Sequence, residues 1–168
     1  MGVQLAMVHI RRFESKDSES VKGLITEIMD REFPEDKSAF ALGDLDSLQD
    51  SYGNDGEVFF VAENGSHVVG TVGVKREDQG IALLRRIFVA PTHRKKKIGL
   101  QLLNQAIDFC EKAGYRELVF KTTSKMTGAI GLVKNRGFQS RAKIPVGPVE
   151  LLKFTLSLNK KNNHKGNS

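Results

Sequence analysis

A run of four cationic residues, Arg94-Lys95-Lys96-Lys97, is the part of the sequence best suited to bind an anion. It follows an apolar run over residues 81–89 that predicts a strand, and it precedes apolar residues at helical spacing from Ile98 onward. The first turn of a helix carries N–H groups without partners, and the helix dipole favours negative charge there. Gly99 leaves space for a ligand or a strand to approach closely. These residues suit a pyrophosphate, and a solvated basic surface explains them equally well.

Other kinds of site fit the sequence less well. The segment lacks the Gly-Lys-Ser/Thr ending of nucleotide hydrolases and the three spaced glycines of dinucleotide-binding proteins. A single cysteine, Cys110, excludes an internal disulfide, and we expect it to lie in the core. No metal site is predicted, because the histidines show no ligand spacing.

The elements that would position the cationic run alternate between strands and helices. Strands are predicted over residues 7–13, 58–62, 68–74, 81–89, 117–121 and 149–158, and helices from residue 17 or 18 to Pro34 and over residues 44–49, 98–113 and 124–136. The turn signals after residues 62 and 76 predict an antiparallel meander, and a β-α-β unit follows it. The fold class is therefore α/β: a mixed, mostly antiparallel sheet of six to seven strands flanked by about four helices.

Two stretches together resemble the GNAT superfamily of N-acetyltransferases. Residues 84–103, which run Leu-Arg-Arg-Ile-Phe-Val-Ala-Pro-Thr-His-Arg-Lys-Lys-Lys-Ile-Gly-Leu-Gln-Leu-Leu, look like its acetyl-CoA motif. Residues 129–138, Ala-Ile-Gly-Leu-Val-Lys-Asn-Arg-Gly-Phe, resemble its penultimate helix and the Gly-Phe exit. The resemblance implies one acetyl-CoA-dependent N-acetyltransferase domain over residues 1–158. It also implies direct attack of a primary amine, from a small molecule or peptide, in a ternary complex.

The resemblance also implies which residues hold the co-substrate. The family's phosphate motif, Gln/Arg-x-x-Gly-x-Gly/Ala, begins here at Arg94 and ends at Gly99, with Lys97 in place of its first glycine. This departure matters only if the position needs a positive φ or a close approach to phosphate, whereas a helical φ would tolerate a lysine. The backbone N–H of Val89 would polarise the thioester carbonyl. The implied cofactor-binding residues are Ile87, Phe88, Val89, Arg94, Lys95, Lys96, Lys97, Ile98, Gly99, Leu100, Met126 and Ala129.

The general acid and base are left unassigned by the resemblance. Val133 stands where many relatives carry a tyrosine, Leu83 where many carry a glutamate, and Met126 where an asparagine is frequent. Tyr52 is a candidate acid in the expected acceptor loop, and His93 lies beside the phosphate motif. The missing groups motivate an alternative function, a catalytically weak CoA-binding regulatory or interaction module.

Charge and composition limit the partners. The chain of 168 residues has a net charge of +6, but it lacks the broad basic face with interleaved aromatic residues that is typical of nucleic-acid binding. No apolar run approaches the roughly 20 residues that cross a bilayer, and no signal peptide precedes the domain, so a cytoplasmic protein is expected. The basic segment 159–168 is predicted to be disordered.

Two further expectations concern the acceptor and the assembly. Arg85, Arg86, Arg141 and Lys143 would favour a carboxylated acceptor, or they are surface charges. The last predicted strand, 149–158, offers a sheet edge on which a homodimer could form.

Overall fold

A computed structural model of the chain describes residues 8–36 and 41–158, so the predicted disordered segment 159–168 lies outside the described residues. One sheet of seven strands has the order β1-β2-β3-β4-β5-β7-β6. Only the pairing of β4 with β5 is parallel. The strands are β1 Val8–Arg12, β2 Val58–Asn64, β3 His67–Asp78, β4 Ile81–Val89, β5 Glu117–Thr123, β6 Gln139–Val146 and β7 Val149–Ser157. The α-helices are α1 Ser18–Glu32, α2 Leu48–Ser51, α3 Ile98–Ala113 and α4 Thr127–Asn135.

This architecture confirms the predicted fold class, including its antiparallel meander and the later β-α-β unit. The meander turns where the sequence signals it, since Gly65 and Gly80 adopt φ values of 64° and 76° between consecutive strands. Such left-handed backbone is easily reached by glycine. The helix predicted over residues 98–113 has those bounds, and Gly114 ends it with a φ of 90°.

Two apolar layers hold the helices to the sheet. On one face, α3 buries Leu102, Leu103 and Ala106 against the central strands, together with Cys110. On the other face, α1 and the short helices that follow it pack against residues of β2 such as Phe59. The sheet is therefore covered on both sides near β2, β3 and β4, the strands that lead to the cationic loop.

Several predicted boundaries differ from the structure. Strand β6 was not predicted from the sequence, and it forms the sheet edge; β7 lies between β5 and β6. The expectation that the last strand offers a free edge to a second copy is therefore wrong. Helix α4 begins at Thr127 instead of residue 124, because the Ser124 hydroxyl accepts a hydrogen bond from the Glu150 N–H and does not cap the helix. The predicted helix 44–49 is two short ones, a 3-10 turn over Gly43–Asp46 and then α2.

Candidate functional site

The sheet opens between its two parallel strands. Residues 81–84 of β4 pair with residues 117–120 of β5, and the register ends there. Both strands continue, β4 to Val89 and β5 to Thr123, with no pairing between them. The two strands thus splay apart, and their backbone groups on the facing edges are available to a ligand.

A bulge in β4 accompanies this splay. Arg86 has a φ of 52°, and the register with β3 shifts at the same place, between Thr71 and Gly73. The Thr71 hydroxyl donates a hydrogen bond of 2.7 Å to the Arg86 carbonyl, which fixes the irregular backbone. A bulge increases the local twist of a strand and redirects its side chains. The end of β4 consequently turns away from β5.

The Arg86 side chain stabilises the fold through hydrogen bonds within the chain. Its guanidinium is buried and donates to both oxygens of Asp44, at 3.0 and 2.5 Å, and to the Ala41 carbonyl. Burial by itself would raise the pKa of Asp44, but hydrogen bonds from Arg86 and from the Tyr52 hydroxyl outweigh it and lower that pKa. The predicted role of Arg86 in contacting an acceptor is therefore not supported, because this guanidinium already has its partners.

Two neighbouring cavities occupy the splay. The first, of about 860 Å³, lies between the end of β4, the cationic loop and the start of α4. The second, of about 630 Å³, lies between β4, β5 and the last two strands. Four residues line both, namely Ile87, Phe88, Met126 and Ala129. A ligand in one cavity would therefore meet a ligand in the other at the splay.

The first cavity gathers the residues implied for the co-substrate. Every one of them except Lys96 lines it: Ile87, Phe88, Val89, Arg94, Lys95, Lys97, Ile98, Gly99, Leu100, Met126 and Ala129. Lys96 is exposed on the same loop. A Cβ at Gly99 would lie 3.4 Å from Leu132 and 3.7 Å from Val89, which are ordinary contacts, so a methyl group would fit at this wall of the cavity.

The cationic loop has an unusual backbone. Lys95 and Lys97 both adopt left-handed conformations, with φ values of 66° and 64°, so of the two alternatives for Lys97 the positive φ is the one observed. Lys97 is the N-cap of α3, and its carbonyl accepts the first intrahelical bond from Gln101 at 3.1 Å. Turns with left-handed residues arrange successive N–H groups into a concave anion site. The loop residues present fit a pyrophosphate, with four cations beside the N-terminus of a helix of 16 residues.

The backbone of Val89 faces the splay. The N–H of its neighbour Ala90 donates to the Val69 carbonyl of β3 at 2.8 Å, and successive N–H groups of a strand point to opposite sides. The Val89 carbonyl accepts a hydrogen bond of 3.0 Å from Arg94, whose guanidinium also pairs with Glu32 at 3.0 Å. The N–H of Val89 is therefore directed away from β3, toward the gap beside β5.

Of the two candidate proton-transfer residues named from the sequence, Tyr52 and His93, only His93 lines a cavity. Tyr52 lines neither cavity; it is buried and donates to Asp44 at 2.6 Å, and burial is the main cause of its raised pKa. His93 does line the first cavity, where its Nε2 lies 3.0 Å from the Asn64 amide. Glu32 is the only carboxylate that lines either cavity among the described residues. No motif in the sequence marks Glu32, which is simply the last residue of α1.

Three other residues singled out in the sequence lie in the core or in the wall of the second cavity. Val133 is fully buried in the core, and Leu83 lines the second cavity with an aliphatic side chain. Cys110 is buried as expected, and burial raises the pKa of its thiol to about 12. Within residues 8–36 and 41–158, no three His, Cys, Asp or Glu side chains come together as metal ligands do. The same ranges hold no helix of the length and apolar character that a membrane span requires.

Comparisons with protein families and with known proteins and structures all find acetyltransferases. N-acetyltransferase 8B of Rattus norvegicus is 35% identical over 102 residues, which is 57% of this chain and 46% of that protein, so the chain spans about half the length of this curated relative. An acetyltransferase of the GNAT family from Staphylococcus aureus Mu50 superposes with a TM-score of 0.79 at 25% identity, over 91% of this chain and 100% of that one. The yncA protein of Salmonella typhimurium, solved with its cofactor acetyl-CoA, has a TM-score of 0.77 at 19% identity, over 91% and 95% of the two chains. The family model described as the acetyltransferase (GNAT) family matches residues 24–138. The chain therefore belongs to the acetyltransferase (GNAT) family.

Proposed function

We propose that this protein is an N-acetyltransferase that moves the acetyl group of acetyl-CoA to a primary amine by direct attack in a ternary complex. The observation that carries the proposal is the splay between β4 and β5, with the cationic loop at the outer end of the same cavity. Family membership and the acetyl-CoA found with the yncA protein, which shares the fold, support it.

The loop would hold the pyrophosphate of CoA. Two left-handed residues, Lys95 and Lys97, shape the backbone so that N–H groups line a concave surface before α3. The partial positive charge of the helix terminus adds to the side-chain charges. Because Arg94 is tied to Glu32 and to the Val89 carbonyl, its guanidinium is already fixed at the wall of the cavity.

The free edge of β4 would hold the rest of the co-substrate. Backbone groups of Ile87 and Val89 face away from β3 and have no β5 partner, so they are suited to pair with the amide groups of a pantetheine arm, whereas those of Phe88 face β3. Acetyl-CoA supplies the acetyl group as a thioester, whose carbonyl carbon accepts the amine. The N–H of Val89 would stabilise negative charge on the carbonyl oxygen during attack.

The acceptor would enter from the second cavity. The two cavities share four lining residues, so an amine in the second would face a thioester in the first. Holding the two reacting groups in line supplies a large part of the rate enhancement without any catalytic side chain. As the carbon–nitrogen bond forms, the carbon–sulfur bond of the thioester breaks, and CoA leaves as a thiolate that takes up a proton. The amine loses a proton in the same reaction, and Glu32 and His93 are the groups lining the first cavity that can accept it.

One observation favours a second candidate, a CoA-binding module with little turnover. The positions at which many relatives carry ionisable groups hold Val133 and Leu83, and Val133 is fully buried. Neither side chain can transfer a proton. Such a module would bind the co-substrate as tightly as the enzyme does and release no thiol with any amine.

Calorimetry and a thiol-release assay test the two candidates. We expect CoA to bind, and free thiol to be released from acetyl-CoA when a panel of amino acids, their amides, polyamines and peptides is supplied. Binding without turnover on any of these amines would favour the module. No heat with CoA at millimolar concentration would overturn both functions, because both depend on the same phosphate site.

A further inference from the structure

Besides Arg86, which Asp44 holds, three cations on neighbouring strands line the second cavity. Arg85 lies on β4, Lys121 on β5 and Lys153 on β7. Lys121 and Lys153 are direct cross-strand partners, and Arg85 follows the last paired residue of β4. Their sequence neighbours Leu84, Phe120 and Phe154 belong to the core under α3, so the three charges alternate onto the opposite face of the sheet. We call them the cationic row.

Without a bound anion, the cationic row lowers the stability of the sheet. Like charges directly opposite each other on adjacent strands destabilise a sheet. Acidic side chains neutralise it only in part: Glu77 lies 3.8 Å from Lys121, and Asp44, already bound by Arg86, lies 3.9 Å from Arg85. Lys153 has no ion-pair partner in the part of the chain that the structure describes. A row of this kind is explained by a ligand that brings negative charge.

An apolar wall stands beside the cationic row. Ile144 of β6 and Leu151 of β7 are cross-strand partners that also line the second cavity. Ile144 is 55% exposed, whereas every other large hydrophobic residue among those described is at least partly buried. Leu83 of β4 continues the aliphatic lining on the other side. No carboxylate of the described residues lines this cavity, so the charged side chains of its lining are all cationic.

We infer that the second cavity selects acceptors that carry a carboxylate and an aliphatic group beside the reacting amine, as an apolar amino acid does. This rests on the proposed function for the identity of the reaction, but the carboxylate site stands on the cationic row alone. Of the residues expected from sequence to favour such an acceptor, only Arg85 is retained. Arg86 is held by Asp44, and Arg141 donates to Thr155 at 2.9 Å. Lys143 does not line the second cavity, because it alternates along β6 with Ala142 and Ile144, which do.

A binding experiment tests the carboxylate site without requiring turnover. With CoA present, the full chain is titrated by calorimetry with N-acetyl-L-leucine and with N-acetyl-L-leucinamide, which differ only in the carboxylate. We expect the acid to bind about tenfold more tightly, the size of effect that one or two charge-assisted hydrogen bonds produce. Equal binding, or tighter binding of the amide, would overturn the inference.

Matched variants locate the effect. Lys153→Gln should reduce the preference for the acid by about fivefold to tenfold and leave the dissociation constant of CoA unchanged. Lys143→Gln removes the same charge from the neighbouring strand on the opposite face, and it should leave the preference unchanged. Equal loss in both variants would point to a general surface potential and would contradict a specific site. Both positions are exposed, so both variants are expected to fold.

Turnover separates this inference from the proposed function. With acetyl-CoA, kcat/KM should be higher for L-leucine than for L-leucinamide, although the amine of the amide loses its proton more readily. If no amine is acetylated but N-acetyl-L-leucine still binds more tightly than its amide, the proposed function fails and the carboxylate site stands. If L-leucinamide is the better acceptor, the enzyme is confirmed and the carboxylate site is refuted.

Discussion

Replacing Lys97 by glycine tests whether the cationic loop carries backbone strain. Lys97 is exposed and adopts φ 64° and ψ 19° at the N-cap of α3. A residue with a Cβ is disfavoured there by about 1–2 kcal/mol, because the Cβ crowds the following carbonyl oxygen. Glycine has no such penalty, and the family motif has glycine at this position. Lys97→Gly should therefore relieve strain without disturbing the core.

The net gain is smaller than the strain. Glycine makes the unfolded chain more flexible, which offsets roughly 0.5–1 kcal/mol of the benefit. We expect the free energy of unfolding to rise by about 0.5–1 kcal/mol. For a domain of this size, that corresponds to a rise in Tm of roughly 1–4 °C. Lys95→Gly should have a similar effect, because Lys95 has a φ of 66°.

Urea denaturation monitored by circular dichroism measures this difference directly. Lys96→Gly is the matched control, since Lys96 is exposed in the same loop but is not among the residues with positive φ. It should lower the free energy of unfolding by about 0.5–1 kcal/mol. Lys97→Ala removes the charge and keeps the strain, so it should not stabilise the protein. If Lys97→Gly destabilised the protein as much as Lys96→Gly does, the strain at Lys97 would be refuted.

Two other predictions concern the cavity wall and the buried ion pair. Gly99→Ala should leave the CoA affinity within about threefold of wild type, because its Cβ would make only ordinary contacts with Leu132 and Val89. Gly99→Glu should weaken CoA binding by more than about tenfold in calorimetry, because it places a carboxylate at the phosphate site. Equal CoA affinity in both variants would contradict the location assigned to the phosphates. Asp44→Asn should cost about 3 kcal/mol at pH 7, because it leaves the buried Arg86 without its charged partner. The pKa of Asp44 is lowered in the folded state, so the stability that its charge contributes is present above its unfolded pKa of about 4 and is lost as pH falls through the folded pKa. In urea titrations, the difference in the free energy of unfolding between wild type and variant should therefore be smaller at pH 3 than at pH 7. An equal difference at both pH values would contradict this explanation.

Elements with strong local signals could be predicted from the sequence. Helix α3 has its predicted bounds because an apolar stripe at helical spacing runs from Ile98 to Cys110 and Gly114 ends it. The hairpin turns at Gly65 and Gly80 were predicted for the same kind of reason, since each has a glycine where a left-handed backbone is needed. In these places the local preference and the tertiary structure agree.

Strand β6 could not be predicted in this way. Its residues are largely exposed on both faces, and Pro145 lies within it, so it lacks the alternation of apolar and polar residues that indicates a half-buried strand. An edge strand tolerates proline because one of its sides has no ladder to complete. Its position is set by pairing with β7, which is information from outside the segment.

The residues of the site likewise fall into those that one sequence segment contains and those that only the fold brings together. The loop that lines the first cavity is contiguous in sequence, so its residues could be identified from one stretch. Glu32 comes from the end of α1, and the cationic row comes from three strands whose proximity follows from sheet order and register. No single segment carries a signal that places Lys121 opposite Lys153.

The bulge at Arg86 connects the stability of the fold to the opening of the site. An unpaired length of parallel strand leaves backbone N–H and C=O groups without sheet partners, and these are costly when buried. The left-handed residue at Arg86 adds its own strain, and the guanidinium–carboxylate pair with Asp44, together with the Thr71 bond, is what holds it in place. Since Ile87 and Phe88, which follow this bulge directly in β4, line both cavities, weakening the Arg86–Asp44 pair should reduce ligand binding as well as stability. Asp44→Asn is therefore expected to weaken CoA binding although Asp44 lines neither cavity.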